Sequence, residues 1–356
     1  MFRTLSVSNF RGFKDLKIQG LDRMNLFLGK NNVGKSALLE SIFLLAAPMN
    51  AELPLRLHSF RGIGEFHGDV EEIWGWLFYG KDVTQRISLE LETEFFKRRT
   101  LKMKVTERKD SRTGRKRAQT QKSSPSLETT SKSDIPMELL LEYQTEKGAK
   151  GDARAFIKEG GIAFEHGKVS SFATSVFVSS RGGYSPENAQ RFSKLQELMR
   201  EHEIIPALQI VEPRITKLSV LVSGVGSMIH GDIGIGRMIP IPMMGEGIGR
   251  LLTILLSIAE SKDGLVMVDE IDSGFHYSIL TDVWTAIAKV AREVNAQVFA
   301  TTHSWECLKA AHASFCTSEI YDLRVHRLDR NEKDVTSTIY DKEMIETALS
   351  SGMELR

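Results

Sequence analysis

Residues 25–40 constrain this chain more than any other stretch. Leu26 to Leu28 is a short apolar run that reads as a buried strand, and it ends at Gly29. Gly29-Lys30-Asn31-Asn32-Val33-Gly34-Lys35-Ser36 follows and fits the G-x-x-x-x-G-K-[ST] phosphate loop. Ala37, Leu38, Leu39, Ile42, Phe43 and Leu45 then recur with helical spacing. Strand, glycine loop and helix are the context in which this motif acquires meaning.

The chemistry follows from the backbone. Gly29 and Gly34 let the loop curl so that several N–H groups face one point. That point lies at the N-terminus of the next helix, where the dipole also favours an anion. The expected phosphate cradle is Gly29, Lys30, Asn31, Asn32, Val33, Gly34, Lys35, Ser36 and Ala37. Lys35 can reach β- and γ-phosphates, and the Ser36 hydroxyl can ligate Mg²⁺.

Composition excludes several classes. Lys+Arg 47 against Asp+Glu 46 gives no whole-chain attraction to a polyanion. Cys307 and Cys316 are too few for a disulfide framework, and their separation matches no common zinc spacing. The expectation is a reduced, cytoplasmic protein. Met1 to Val7 runs straight into a strand pattern without a signal-peptide core, and Leu251 to Ala259 is too short to span a bilayer, so no membrane association is expected.

Residues 2–20 alternate as a hairpin turning at 9–14. The segment 69–79 reads as a short helix with Val70, Ile73, Trp74, Leu77 and Phe78 inward, and 86–95 as a strand. From Lys97 to Lys122 there are 12 basic residues and two acidic ones, Glu107 and Asp110. Residues of about 106–134 have almost no apolar members, and disorder is expected there. This segment is either a basic arm for nucleic-acid phosphates or a solvated hairpin tip, for no aromatic residues are interleaved to stack on bases. Strands are expected at 137–143, 153–157 and 175–178, a helix at 186–202, and alternating strands over 204–242.

The second half carries further strand-end signals. Residues 245–260 read as an apolar-striped helix. Leu265-Val266-Met267-Val268 is a buried strand ending in Asp269-Glu270, 276–294 is a helix, and Ala296 to Ala300 is a strand ending in Thr301-Thr302-His303-Ser304. Final strands are expected at 321–328 and 335–340, with a helix from Lys342. Alternating strands and helices give a largely parallel sheet, whose ligands collect at the carboxyl ends of strands. Asp269 there completes a Mg²⁺ shell opposite Ser36, Glu270 polarises a water for attack on the γ-phosphate, and His303 hydrogen-bonds that phosphate.

Taken together, these pieces resemble the ABC-type ATPases of the SMC, RecF and OLD group, most nearly single-chain OLD-like "AAA family ATPase" proteins without a TOPRIM nuclease domain. The resemblance rests on Val7-Ser-Asn-Phe-Arg-Gly-Phe13, Gly29–Ser36, Met244-Gly-Glu-Gly-Ile-Gly-Arg-Leu-Leu252, Val268-Asp-Glu-Ile-Asp-Ser-Gly-Phe-His-Tyr277 and Phe299-Ala-Thr-Thr-His-Ser304. It implies a P-loop NTPase of α/β class, its mixed, mostly parallel sheet flanked by helices. Residues 1–48 and 176–356 would form the ATPase core, and 49–175 an inserted, mostly β lobe. It further implies ATP sandwiched between two copies, with higher oligomers allowed. Gly245, Glu246, Gly247 and Arg250 would reach the partner's γ-phosphate, Asp272 would couple the two sites, and Arg11 would lie near nucleotide or DNA. Gly245 stands where many relatives have Ser, which removes a hydroxyl contact but leaves helix N-terminal N–H groups.

The resemblance thus implies an ATP-hydrolysing, dimerising switch acting on DNA or a separately encoded nuclease or toxin, in prokaryotic antiphage defence. A RecF-like repair ATPase and a non-catalytic ATP-bound scaffold are the alternatives. The stretch after His303 is too short for a nuclease domain, so any cutting of DNA is expected of another polypeptide. Deleting 106–133 decides the role of the basic segment. A flattened salt dependence of DNA binding marks the arm, and an unchanged one marks the tip.

Overall fold

The structure is a computed structural model that describes residues 1–63, 70–108, 137–158, 161–168, 174–180, 184–223, 226–332 and 334–353. The segment expected to be disordered lies outside these residues from 109 onward. In chain order the strands are β1 (Phe2–Phe10), β2 (Phe13–Ile18), β3 (Met24–Leu28), β4 (Ile87–Thr93), β5 (Arg98–Glu107), β6 (Met137–Gln144), β7 (Lys150–Lys158), β8 (Gly161–Glu165), β9 (Val176–Val178), β10 (Lys217–Ser223), β11 (Gly226–Asp232), β12 (Ile239–Pro240), β13 (Leu265–Val268), β14 (Gln297–Thr301), β15 (Leu323–Arg330) and β16 (Val335–Tyr340). The helices are α1 (Lys35–Ala46), α2 (Leu53–Phe60), α3 (Val70–Trp74), α4 (Asn188–Glu197), α5 (Ile205–Leu208), α6 (Glu246–Glu260), α7 (Leu280–Glu293), α8 (Trp305–Cys316) and α9 (Lys342–Ser350).

The apolar runs at 26–28 and 265–268 become strands buried on both faces, as parallel strands covered by helices require. Side-chain alternation divides them between two cores. Leu26, Val266 and Val298 enter one core with α4, α6, α7 and α8. Phe27, Met267 and Phe299 enter the other with α1 and the antiparallel strands. Helix α1 is therefore enclosed, and every residue of it except Ser36 is buried. This accounts for an apolar pattern that runs nearly all the way round it.

Six strands form a mixed sheet in the order β16-β15-β3-β14-β13-β9, in which only the β15–β16 pairing is antiparallel. The phosphate loop, Asp269 and His303 therefore follow three adjacent parallel strands at the same sheet edge. A seven-stranded antiparallel sheet, β2-β1-β4-β5-β6-β7-β8, lies across α1. Residues 87–165 supply five of its strands, and the N-terminal hairpin supplies the other two. Gln297 ties the sheets together: its side-chain oxygen accepts from Phe2 N at 3.0 Å, and its Nε2 donates to Phe2 O and Asp22 O at 2.9 and 2.8 Å.

The structure differs from the sequence expectation in several places. Residues 205–208, read as part of a strand region, form the short α5. The helix expected over 69–79 stops at Trp74 and passes into a 3-10 turn. Pro54 sits in the first turn of α2, a helix the sequence reading did not assign, where its missing N–H has no partner to lose. Among the described residues no helix is long and apolar enough to cross a membrane.

His326 on β15 is 0 % exposed and stacks on Phe27 of β3 with ring centroids 5.2 Å apart. Burial, reinforced by the Arg324 cation, pushes its pKa down to about 3. His58 on α2 is pushed down to about 4, by burial and then by Arg11 and Arg61. Below the ordinary value of about 6.5 the unfolded chain takes up protons that these folded imidazoles refuse. Stability is therefore full above about pH 6.5 and falls by up to about 1.4 kcal/mol per pH unit per histidine below it. The variant His326→Leu should show a shallower acid limb in denaturant titrations between about pH 6.5 and pH 4. An unchanged limb would remove His326 from the explanation.

Candidate nucleotide site

The phosphate loop depends on its glycines. Gly29 has φ 143 and Gly34 has φ 114, in the left-handed half of the map that favours glycine. A Cβ on Gly29 would lie 2.6 Å from Leu328 O, and one on Gly34 2.7 Å from the Phe13 ring. Phe13 of the N-terminal hairpin is thus the floor against which the loop curls. No side chain caps α1 at Gly34, so its first N–H groups remain available to an anion.

Lys35 folds back over the loop, its Nζ donating to Gly29 O at 2.8 Å and Lys30 O at 3.2 Å. It is 9 % exposed. Burial lowers its pKa, while Asp269, Glu270 and Asp272 act to raise it. The ammonium and three carboxylates from the β13 end thus share one electrostatic neighbourhood.

Asp269 is the junction of the site. It is 8 % exposed. Ser36 Oγ donates to its two carboxylate oxygens at 3.1 and 2.8 Å, and Thr301 Oγ1 donates to Oδ1 at 2.6 Å. Thr301 also accepts from Glu270 N at 2.8 Å through the same hydroxyl. Val268 pairs with Ala300 in register, so the next residues on the two strands, Asp269 and Thr301, come side by side. Glu270 sits at φ 49, an uncommon conformation for a side chain with Cβ and one that clusters at functional sites. Thr302 Oγ1 donates to Asp272 Oδ1 at 2.6 Å. His303 is exposed at the end of β14, between Thr302 and Ser304, whose Oγ caps α8 by accepting from Cys307 N at 3.0 Å.

Two of the expected residues are placed otherwise. Arg250, expected to reach a second copy, is 1 % exposed and bound within its own chain. Its guanidinium donates to Asp269 O at 2.6 Å, to Glu270 O at 3.3 Å and to Ser179 O. The reason is positional: Arg250 lies on the second turn of α6 and faces the β13 end rather than solvent. Arg11, expected near nucleotide or DNA, is spent on Glu40 of α1, with Nε 2.6 Å from Oε2, and Arg61 Nε donates to Oε1 at 2.8 Å. A carboxylate buried inside α1 needs such partners. Gly245 and Glu246, by contrast, are exposed at the uncapped start of α6, and Gly247 approaches Gly274 O so closely that a Cβ would lie 2.8 Å from it.

Sequence reasoning did not assign roles to Thr301, Thr302 or Arg330. The last donates from Nη2 to Val33 O at 3.4 Å. A threonine beginning the loop after a strand adjacent to the Asp-Glu strand was the available signal for the first two. Thr301→Val should lower stability by about 1–3 kcal/mol in urea unfolding, because it strips a donor from Asp269 and orphans Glu270 N, while Thr301→Ser should retain it. Equal losses in both variants would refute this account.

Comparisons with known proteins bear on the family and the fold. A family model described as "AAA domain, putative AbiEii toxin, Type IV TA system" matches residues 24–306. A protein of Helicobacter pylori named ATP/GTP phosphatase is 23% identical over 337 residues, covering 87% of both chains. An uncharacterized protein of Methanocaldococcus jannaschii is 31% identical over 113 residues, which span 29% of this chain and 47% of that one. An SMC head bound to the C-winged helix domain of ScpA superposes with a TM-score of 0.51 at 10% identity, over 97% of this chain and 99% of that one. The Smc head with an extended coiled coil, bound to the C-terminal domain of ScpA derived from Pyrococcus furiosus, gives 0.50 at 9% identity over 98% of each. At these identities the structural likeness is one of fold. The chain belongs to this AAA-domain family, and its fold is like that of the SMC heads.

Proposed function

We propose that this chain is a Mg²⁺-dependent ATPase that works as a dimerising switch. The observation that carries the reading is the convergence of Ser36 Oγ on both oxygens of the Asp269 carboxylate. A hydroxyl and a carboxylate meeting at one point beside an uncapped helix start form the all-oxygen donor set that suits Mg²⁺. Ser36 and Asp269 would hold the ion, whose charge would offset that of the phosphates. Lys35 would exchange the carbonyls of Gly29 and Lys30 for phosphate, and residues 29–37 would supply the backbone cradle. Glu270, next in chain after the metal-holding carboxylate, would accept the proton of the attacking water, and His303 would bind the γ-phosphate.

The partner copy enters through exposed Gly245 and Glu246, together with Gly247 at the first turn of α6. Their N–H groups are the part of the trans contact that needs no side chain. Asp272, held by Thr302, would relay between the two sites. Arg250 serves this function from within its own chain, and isolated monomers should bind ATP but hydrolyse it poorly.

The wider role, control of DNA or of a separately encoded nuclease or toxin in prokaryotic defence, is supported by the OLD-like motif set and by the toxin–antitoxin wording of the matching family. The similar protein named ATP/GTP phosphatase supports turnover over a purely structural use of ATP.

Glu270→Gln should bind ATP with Mg²⁺, lose about 10²- to 10⁴-fold in turnover, and accumulate an ATP-dependent dimer in size-exclusion chromatography. Unchanged ATPase activity would overturn the assignment of the base. Turnover per chain that does not rise with protein concentration would overturn the shared site.

A further inference from the structure

The end of α8 away from the nucleotide site gathers three side chains that the ATPase reading leaves unused. His312 and Cys316 lie four residues apart on α8 and so share one face. Glu346 reaches them from α9. One ligand atom from each lies within 4.8 Å of the other two, and among the described residues no other group of three such side chains meets this criterion. Cys316 Sγ is 3.4 Å from His312 Nε2 and 3.9 Å from Glu346 Oε1.

The surroundings are those of a ligand set. His312 is 6 % exposed, while Cys316 and Glu346 face solvent, which leaves an entry path. Tyr321 Oη lies 2.9 Å from His312 Nδ1. A hydrogen bond from Nδ1–H to that oxygen would leave Nε2 bare for a cation, while Cys316 Sγ, 3.4 Å from Nε2 and 3.9 Å from Nδ1, lies alongside the ring.

We propose that His312 Nε2, Cys316 Sγ and Glu346 Oε1 form a zinc site that clasps α9 to the end of α8, with water in the fourth position. Thiolate, imidazole and carboxylate suit this borderline-soft ion, with bonds of about 2.3 Å to sulfur and about 2.0 Å to nitrogen and oxygen. Tetrahedral ligands at those bond lengths sit about 3.5 Å apart, close to the separation of Nε2 from Sγ, and an exposed Glu346 side chain can close the rest. Binding forms the Zn–S bond and releases the Cys316 proton to solvent. Lys342 Nζ, 3.9 Å from Glu346 Oε1, is the cation that zinc displaces from the carboxylate. Helix α8 starts beside His303 and is about 18 Å long, so the clasp is separate from the nucleotide site.

The test uses the full chain, stripped with EDTA and titrated with cobalt(II) and then zinc. The expected result is one cobalt per chain with a thiolate-to-metal charge-transfer band and tetrahedral visible absorption, both bleached by zinc. Cys316→Ser should lose the charge-transfer band, and Tyr321→Phe should weaken zinc about 10- to 100-fold. Zinc should raise the melting temperature of the parent chain but not of Cys316→Ser, and should slow modification of Cys316 by a thiol reagent that buried Cys307 escapes. Cobalt at a Ser36–Asp269 site would be octahedral and free of thiolate, so failure of the ATPase reading leaves this measurement intact. An identical spectrum and melting response in the parent and in Cys316→Ser would overturn the proposal.

Discussion

The Asp269 carboxylate is the constraint on which the rest of the site depends. It is nearly buried at the end of a strand enclosed on both faces, where an unpaired charge would be severely unfavourable. Its hydroxyl donors come from two other segments: Ser36 from the start of α1 and Thr301 from the end of β14. Satisfying one charge therefore fixes the relative positions of β13, β14 and the helix that follows β3. Partially satisfied buried networks are costly, so this arrangement leaves the three carboxyl ends little freedom to slide.

The enclosure has its own origin in the two-sided cores. Strand residues alternate between a core of α4, α6, α7 and α8 and a core of α1 and the antiparallel sheet. Gln297 then binds Phe2 and Asp22 across the junction, so the N-terminal hairpin cannot drift from the mixed sheet. That hairpin carries Phe13, whose ring floors the phosphate loop. The geometry of the anion cradle thus reaches back to the second strand of the chain.

Much of this was legible in the sequence, and the parts that were not share a cause. Apolar runs ending in Gly29, Asp269 and Thr301 reveal strand ends because parallel strands buried on both faces tolerate few polar residues. Thr301, Arg250 and Arg11 depend instead on register and on what faces what, which no local pattern records. Arg250 and Arg11 both read as outward-reaching cations, and both are turned inward by a carbonyl cluster or a carboxylate within the same chain. Helix α8 escaped notice because its buried face is built from Cys307, Leu308, Ala310, Ala311 and Phe315, in which alanine and cysteine weaken the periodic signal. The Cys316 cluster is illegible for a related reason: its neighbours are a histidine one turn back and a glutamate from another helix, which no cysteine spacing records.

Arg250 has one more consequence. Its guanidinium fastens the exposed start of α6 to the main-chain oxygens of Asp269 and Glu270, while Thr301 grips the amide of Glu270 from the other side. The peptide bearing Glu270 is thereby part of a rigid linkage, not the tip of a loose loop. A shift of the outer end of α6 would therefore carry that peptide with it, the way a rod moves a valve seat. A contact at the start of α6 and the position of half-buried Glu270 would then belong to a single mechanical event.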